Sequence, residues 1–409
     1  MFVNEDVDRL WAKTLFLLRG DEWKTMRSTL SPSFTGNKMQ GMFGLLKRCT
    51  DDLVQFYVDH PSAAKTVDIK DAFTRCANDG IASAAFGITC NSLENPNNEF
   101  YKMAKKATDA TGFWINLAFL VVSLGQPLAK LLNLRVLSKE ADKFFRNLVK
   151  ETIDVREKSG IIRPDMIHLL MESRKGKLKY DATPEDNERF STFDEKGEQL
   201  AELTDENITA QVLIFLFAGF DSTATLMTFL AYELAVNPDI QVRLKEEIDD
   251  TLRECNGSLT YEAIMNMRYM DMVILETLRK WPSIIAINRI CLKPYTIDPI
   301  TPGEKPIHVN KGDTLWIPVY AMHRNPNFYP EPERFNPERF SDENKSKIVP
   351  GSYFPFGSGP RLCIGNRFAM LETKLLFFSL LSKFEIIAVE KTQIDLAVEN
   401  TIWAGFRLR

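Results

Sequence analysis

Phe354-Pro355-Phe356-Gly357-Ser358-Gly359-Pro360-Arg361-Leu362-Cys363-Ile364-Gly365 runs straight into a helical pattern at Asn366. A cysteine in a Gly-rich loop just ahead of a helix sits where backbone N–H groups and the helix dipole favour an anion. Such surroundings favour a thiolate, the form that ligates metals. Gly357, Gly359 and Gly365 let the chain bend sharply, so a flat ligand can come close to the sulfur. Arg361, two residues before the cysteine, offers a fixed positive charge to an acidic group on that ligand. For a cysteine met alone, a buried structural role is the commoner reading.

Composition narrows the classes. The 409 residues are 44% apolar and 26% charged, with a net charge of −4, which reads as a folded globular chain and gives no reason to expect nucleic acid. Mixed enzymes of this size can have a single core. The six cysteines, Cys49, Cys76, Cys90, Cys255, Cys291 and Cys363, contain no CxxC pair. Zinc and thioredoxin-type readings fail, and so sparse a set suits a reducing compartment better than a disulfide scaffold. Met1 to Arg9 is acidic and polar, without the apolar core of a signal peptide or anchor.

Other stretches carry weaker signals. Trp23 and Arg27 are spaced i and i+4 and share a helix face; packing of the Trp on the Arg stem is an ordinary reading. The segment from Leu30 to Thr35 predicts a break, with helical spacing again from Met39 to Tyr57. Asp71 to Phe86 predicts a helix ended by Gly87, and Lys139 to Arg156 an amphipathic, mostly exposed one. Phe113 to Leu124 is an apolar run too short to cross a bilayer, either a core helix or a membrane-surface element. Residues 173–206 are rich in charge and Gly and predict a mobile, solvated linker. Thr204 predicts an N-cap with Asp205 and Glu206 in the first turn. The apolar helix that follows stops at Asn237-Pro238. Its Asp221 argues for a buried core helix over a membrane span. In Ala218-Gly219-Phe220-Asp221-Ser222-Thr223, small residues leave room for a ligand and a hydroxyl can open the helix ladder; back-bonding of the hydroxyl is the plain alternative. Glu276 and Arg279, at i and i+3, suit an ion pair of a kind that is usually trivial on a surface. Residues 290–320 alternate with Pro and Gly turns and predict short strands. Phe368, Leu371, Leu375 and Phe378 mark one face of the last long helix.

Phe356, Gly359, Arg361, Cys363 and Gly365 resemble, position for position, the haem-binding loop of the cytochromes P-450. The resemblance implies a mainly α fold with small β-sheets and Cys363 as the axial thiolate of haem b. That such a thiolate favours O–O cleavage is a property of the class, not a deduction from these residues. Trp23 and Arg27 resemble the family's WxxxR helix, which implies contact with a haem propionate, as does the position of Arg289. Asp221, Ser222 and Thr223 resemble its oxygen-activation motif and imply proton relay; Ser222 stands where Thr is commoner, losing the methyl that stiffens χ1. Glu276 and Arg279 resemble its ExxR pair, implying a structural lock with Arg339, or with Arg334 as a second candidate. Phe220, Ile284, Ile285, Ile287 and Trp403 fall at positions that imply an apolar substrate pocket.

The resemblance, nearest to insect microsomal family-9 members, implies a monooxygenase that puts one atom of O₂ into a lipophilic xenobiotic or endogenous lipid. Electrons would come from NADPH through a flavoprotein reductase, with cytochrome b5 as a further partner. Lys280, Arg367 and Lys374 are candidate docking charges. It also implies the cytosolic face of the endoplasmic reticulum membrane. Because the resemblance begins near Trp11, the sequence is expected to be one P-450 domain over 1–409 lacking its anchor and first strands, with a cytoplasmic location as the alternative to the membrane. Two rival readings are a truncated, non-catalytic haem binder and a reductase-independent haem-thiolate isomerase, against which Asp221-Ser222 argues.

Overall fold

The apolar sequence after Thr204 forms one unbroken helix, Asp205–Val236. Thr204 caps it as expected, its hydroxyl accepting from the Asn207 N–H at 3.2 Å. Asn237 ends it, and Pro238 opens the next helix. It is the one described helix long and apolar enough to cross a membrane, and most of its length is buried inside the fold.

This computed structural model describes residues 8–108, 135, 137–176, 201–392 and 402–409. The apolar run 113–124 and residues 177–200 of the expected linker lie outside the described residues. In chain order the helices are α1 (Arg9–Ala12), α2 (Gly20–Leu30), α3 (Gly36–Asp59), α4 (Pro61–Ala64), α5 (Ile69–Ile81), α6 (Glu99–Thr108), α7 (Lys139–Ser159), α8 (Met166–Arg174), α9 (Asp205–Val236), α10 (Pro238–Glu254), α11 (Tyr261–Met265), α12 (Arg268–Lys280), α13 (Val319–His323) and α14 (Asn366–Lys383). The strands are β1 (Val67–Asp68), β2 (Ile287–Ile290), β3 (Tyr295–Ile297), β4 (Ile307–Val309), β5 (Thr314–Ile317), β6 (Phe384–Ile387) and β7 (Trp403–Leu408). The outcome is the expected mainly helical fold with small sheets.

The chain divides into two compact units, Met1–Met267 with Ile364–Arg409, and Arg268–Cys363. The first holds α1–α11, α14 and an antiparallel sheet in the order β1-β7-β6. There α5 packs against α9, and α14 against α3. The expected break after Leu30 is a 3₁₀ turn, Ser31–Phe34. The helix predicted up to Phe86 is α up to Ile81 and a π-turn from Ala82 to Phe86. Gly87, at φ +74°, then ends it in the left-handed region.

Two expectations about helix faces need correction. α7 is not mostly exposed: Ala141, Phe145, Val149, Ile153 and Arg156 form a buried stripe. Arg156 is there because Asp165 meets it with two hydrogen bonds of 2.6 Å each, the paired geometry that a buried guanidinium needs. α14 is not apolar on one face alone. Glu372, Thr373 and Lys374 are buried along with the predicted Phe368, Leu371, Leu375 and Phe378. Lys374 donates to the carbonyls of Ile264, Met265 and Met267 at 3.2–3.4 Å, so it caps the end of α11 and cannot serve as a docking charge. Glu372 lies against Gly80, and neither of its carboxyl oxygens has a hydrogen-bond partner among the described residues. Burial pushes its pKa well above the ordinary carboxylate range.

The second unit has α12, α13 and two antiparallel ladders, β2–β5 and β3–β4. β3, β4 and β5 are the short strands expected over residues 290–320, and β2 starts three residues before that span. Ile284, Ile285, Leu292, Ile300, Ile307 and Trp316 are exposed on it.

Gly87 allows a direct test of the Arg156–Asp165 pair. A Cβ there would fall on Arg156 Nη2 and within 2.6 Å of Asp165 Oδ2. Gly87→Ala should cost at least about 2 kcal/mol in urea unfolding, from backbone strain and disturbance of a buried pair.

Candidate active site

The cysteine loop belongs to the second unit. Gly357 (φ +80°) and Gly359 (φ +70°) take up conformations that side chains with a Cβ resist. Between them and the cysteine lies a 3₁₀ turn, Gly359–Arg361. The Gly357 N–H donates to the Phe354 carbonyl, and the Cys363 N–H to the Phe356 carbonyl, each at 2.9 Å. The loop is thus closed by its own backbone, with Cys363 and Arg361 exposed and Phe356 half-buried. Gly365, the N-cap of α14, sits at φ −94°. It needs no left-handed backbone, so the expected role of its conformational freedom does not hold.

Cys363, which is exposed, differs from Cys49, Cys76 and Cys90 of the helical unit. Burial raises the Cys49, Cys76 and Cys90 thiols, Cys90 to about 12, and keeps them protonated. Among the described residues no group of three or more His, Cys, Asp or Glu is placed to hold a metal. An accessible cysteine outside any such group suits a metal whose remaining ligands come from its own organic frame. That is the donor set haem requires, so Cys363 and its loop fit the group.

The expected ion-pair lock also lies in the second unit, and it is fully buried. Arg279 and Glu276 are both 0% exposed. Arg279 Nε and Nη2 donate to the two Glu276 oxygens at 2.7 and 2.8 Å. Arg279 also donates to the carbonyls of His323 (3.0 Å) and Pro332 (2.8 Å), and the Asn336 N–H donates to Glu276 Oε1 (2.8 Å). Arg339 Nε lies 3.5 Å from Glu276 Oε1. Arg334 instead meets Glu331 at the surface, 3.5 Å away. On the same unit, Ile284 and Ile285 are exposed and Ile287 is half-buried on β2. Arg289 is exposed, with Nη1 on the Asn288 carbonyl at 2.8 Å. Lys280 is half-buried over the rings of Trp281 and Phe335.

The remaining candidates lie in the helical unit. Trp23 and Arg27 are both buried on α2, and Arg367 is half-buried. On α9 the otherwise buried run opens at Ala218 and Asp221, both exposed, with Ser222 half-buried. The helix is continuous through them. The Ser222 hydroxyl donates to the Ala218 carbonyl one turn back, so the ladder is not opened there. Gly219 does not leave room for a ligand: a Cβ would stand 2.6 Å from Ile81 Cδ1, so its missing side chain admits α5. Phe220 is buried with its ring 6.3 Å from Tyr101, and Thr223 is buried. Trp403 is half-buried on β7, under Lys391 Nζ at 4.5 Å.

Sequence reasoning missed Lys70. From the first turn of α5, its Nζ donates to Asp221 Oδ1 and Thr225 Oγ1, both at 2.7 Å. The signal was a lysine in a helix's first turn, where the dipole disfavours a cation unless an anion compensates.

A cytochrome P450 family model matches residues 6–406. The chain is 44% identical to "Cytochrome P450 9e2" of Blattella germanica, covering 100% of this chain and 79% of that protein. It is 41% identical to "Probable cytochrome P450 9f2" of Drosophila melanogaster, over 98% of this chain and 75% of that one. "Cytochrome P450 6k1" of Blattella germanica is 36% identical, over 96% and 74%.

The two ion pairs should respond differently to mutation. Glu276→Gln leaves Arg279 charged and buried and should cost about 3–5 kcal/mol in urea unfolding. Lys70→Met, facing an Asp221 side chain that is 67% exposed, should cost less than about 1 kcal/mol in the same measurement.

Proposed function

The chain belongs to the cytochrome P450 family and is a haem monooxygenase; we propose that it oxidises lipophilic small molecules, xenobiotic or endogenous, with electrons from NADPH delivered by a flavoprotein reductase. The observation that carries this reading is the exposed Cys363 thiol on a backbone-closed glycine loop. When bound, haem supplies the activation of O₂, one atom of which enters the substrate while the other leaves as water.

The chain's own residues hold the group and manage protons. Cys363 provides the thiolate that ligates the iron, and Phe356 and Gly365 belong to the loop that presents it. Trp23, Arg27, Arg289 and Arg361 supply N–H donors for the haem carboxylates, which a guanidinium fork suits. Asp221 exchanges protons with solvent, because its side chain is mostly exposed while Lys70 fixes one oxygen. The Ser222 hydroxyl, which donates to the Ala218 carbonyl, lies on the next residue of the same helix. Thr223 adds a hydroxyl on the next residue. Apolar side chains at Phe220, Ile284, Ile285, Ile287 and Trp403 select lipophilic substrates. Cytochrome b5 is a further electron partner, and the working location is the cytosolic face of the endoplasmic reticulum membrane.

Cys363→Ala in the purified full chain tests this. The wild type should give a thiolate-type band in the reduced, CO-treated difference spectrum. With added reductase and a lipophilic substrate it should consume NADPH and form product. The variant should lose both, and its keeping both would overturn the reading.

A further inference from the structure

Two groups of residues already described are joined by a third. His323 is the last residue of α13 and is 0% exposed. Its backbone carbonyl accepts from Arg279 Nη1 at 3.0 Å. Its ring nitrogen Nε2 accepts from the Phe354 N–H at 3.1 Å. Phe354 begins the cysteine loop, and its own carbonyl accepts from Gly357. Two residues on, the Phe356 carbonyl accepts from the Cys363 N–H. One line of hydrogen bonds therefore runs from the Glu276–Arg279 pair, through the backbone and ring of His323, to the loop that carries the sulfur.

The ring is held firmly enough to do this. Tyr353 stacks on it with centroids 5.4 Å apart and planes 26° apart, and Phe354 meets it edge-on at 5.3 Å. The Tyr353 hydroxyl in turn donates to the Leu275 carbonyl on α12 at 2.9 Å. With Nε2 as acceptor, the neutral ring carries its proton on Nδ1. Burial, with help from the Arg279 charge, lowers the imidazole pKa to about 4, so the acceptor lone pair persists at neutral pH.

We propose that His323 is a positioning residue for the haem thiolate: its ring fixes the Phe354 N–H, and with it the register in which the loop presents Cys363. The inference rests on Cys363 being the iron ligand. A ring in van der Waals contact would fill the same space; the accepted hydrogen bond is what sets register. Without it, the Phe354 N–H is left unsatisfied in a partly buried setting.

The test compares His323→Gln, whose side-chain oxygen can accept from Phe354, with His323→Leu, which fills space without accepting. Both are made in the haem-loaded full chain. One readout is amide hydrogen exchange at Phe354. The other is the share of thiolate-type band in the reduced, CO-treated spectrum. His323→Leu should speed Phe354 exchange by about fivefold or more, the loss of roughly one hydrogen bond, and should shift the spectrum away from the thiolate type. His323→Gln should restore both, in part or in full. Unchanged exchange and spectrum in His323→Leu would overturn the proposal, as would a folded His323→Gln as impaired as His323→Leu. If His323→Leu does not fold, the Gln variant decides alone: wild-type exchange at Phe354 supports the proposal, and fast exchange overturns it. A wild-type chain lacking the thiolate band would sink the assignment of Cys363 instead, while Phe354 exchange would still judge the hydrogen bond.

Discussion

A guanidinium with no exposed surface must find an anion and several acceptors, or it cannot stay folded in. Arg279 finds both oxygens of Glu276 and the carbonyls of His323 and Pro332. The acceptors come from three separate stretches of chain, so satisfying one charge fixes the course of all three. Arg324, donating twice to the Lys280 carbonyl, and Tyr353, donating to that of Leu275, tie the second unit in the same way. Its ladders are two-stranded, and such pairs are marginal by themselves. The order of the loops there comes chiefly from polar groups that have no cheaper place to go. The consequence for chemistry is direct: the cysteine loop is short of regular structure, yet each of its turns ends on a defined backbone acceptor.

Much of this was legible in the sequence because the signals were local. The bounds of α9 follow from Thr204, Asn237 and Pro238, all of which act within one turn of their own position. The loop's turns follow from Gly357 and Gly359. The Glu276–Arg279 pair follows from i, i+3 spacing. What spacing could not give was depth, since the same pair on a surface would be trivial and here it is sealed off. Lys374 misled for the same reason: a lysine reads as exposed unless one sees the helix end that it caps, more than a hundred residues earlier in the chain. Gly219 misled because the space left by a missing side chain was already taken by Ile81. Lys70 and His323 gave little warning, because their partners lie 151 and 31 residues away and no local pattern encodes such a distance.

The stretch around Asp221 shows how one helix serves two demands. α9 is core on most of its length, and polar side chains fit such a helix where they reach solvent or find a partner. At Asp221 the partner is Lys70, brought from α5, and at Ser222 it is the carbonyl of Ala218 one turn back. The polar groups are therefore held without any break in the helix. That gives the stretch defined side chains on a rigid rod, which is how a functional group is best placed.

The buried carboxyl of Glu372 has a thermodynamic consequence of its own. Its pKa is raised in the folded chain and ordinary in the unfolded one, so the sign of the linkage is fixed. The neutral form contributes its full stability below the unfolded value, and that contribution is lost as pH rises through the folded value. Between those two values the native protein carries a proton that the denatured chain gives up. Melting is then also a small acid release, and the heat a calorimeter records will differ between buffers according to their own enthalpies of protonation.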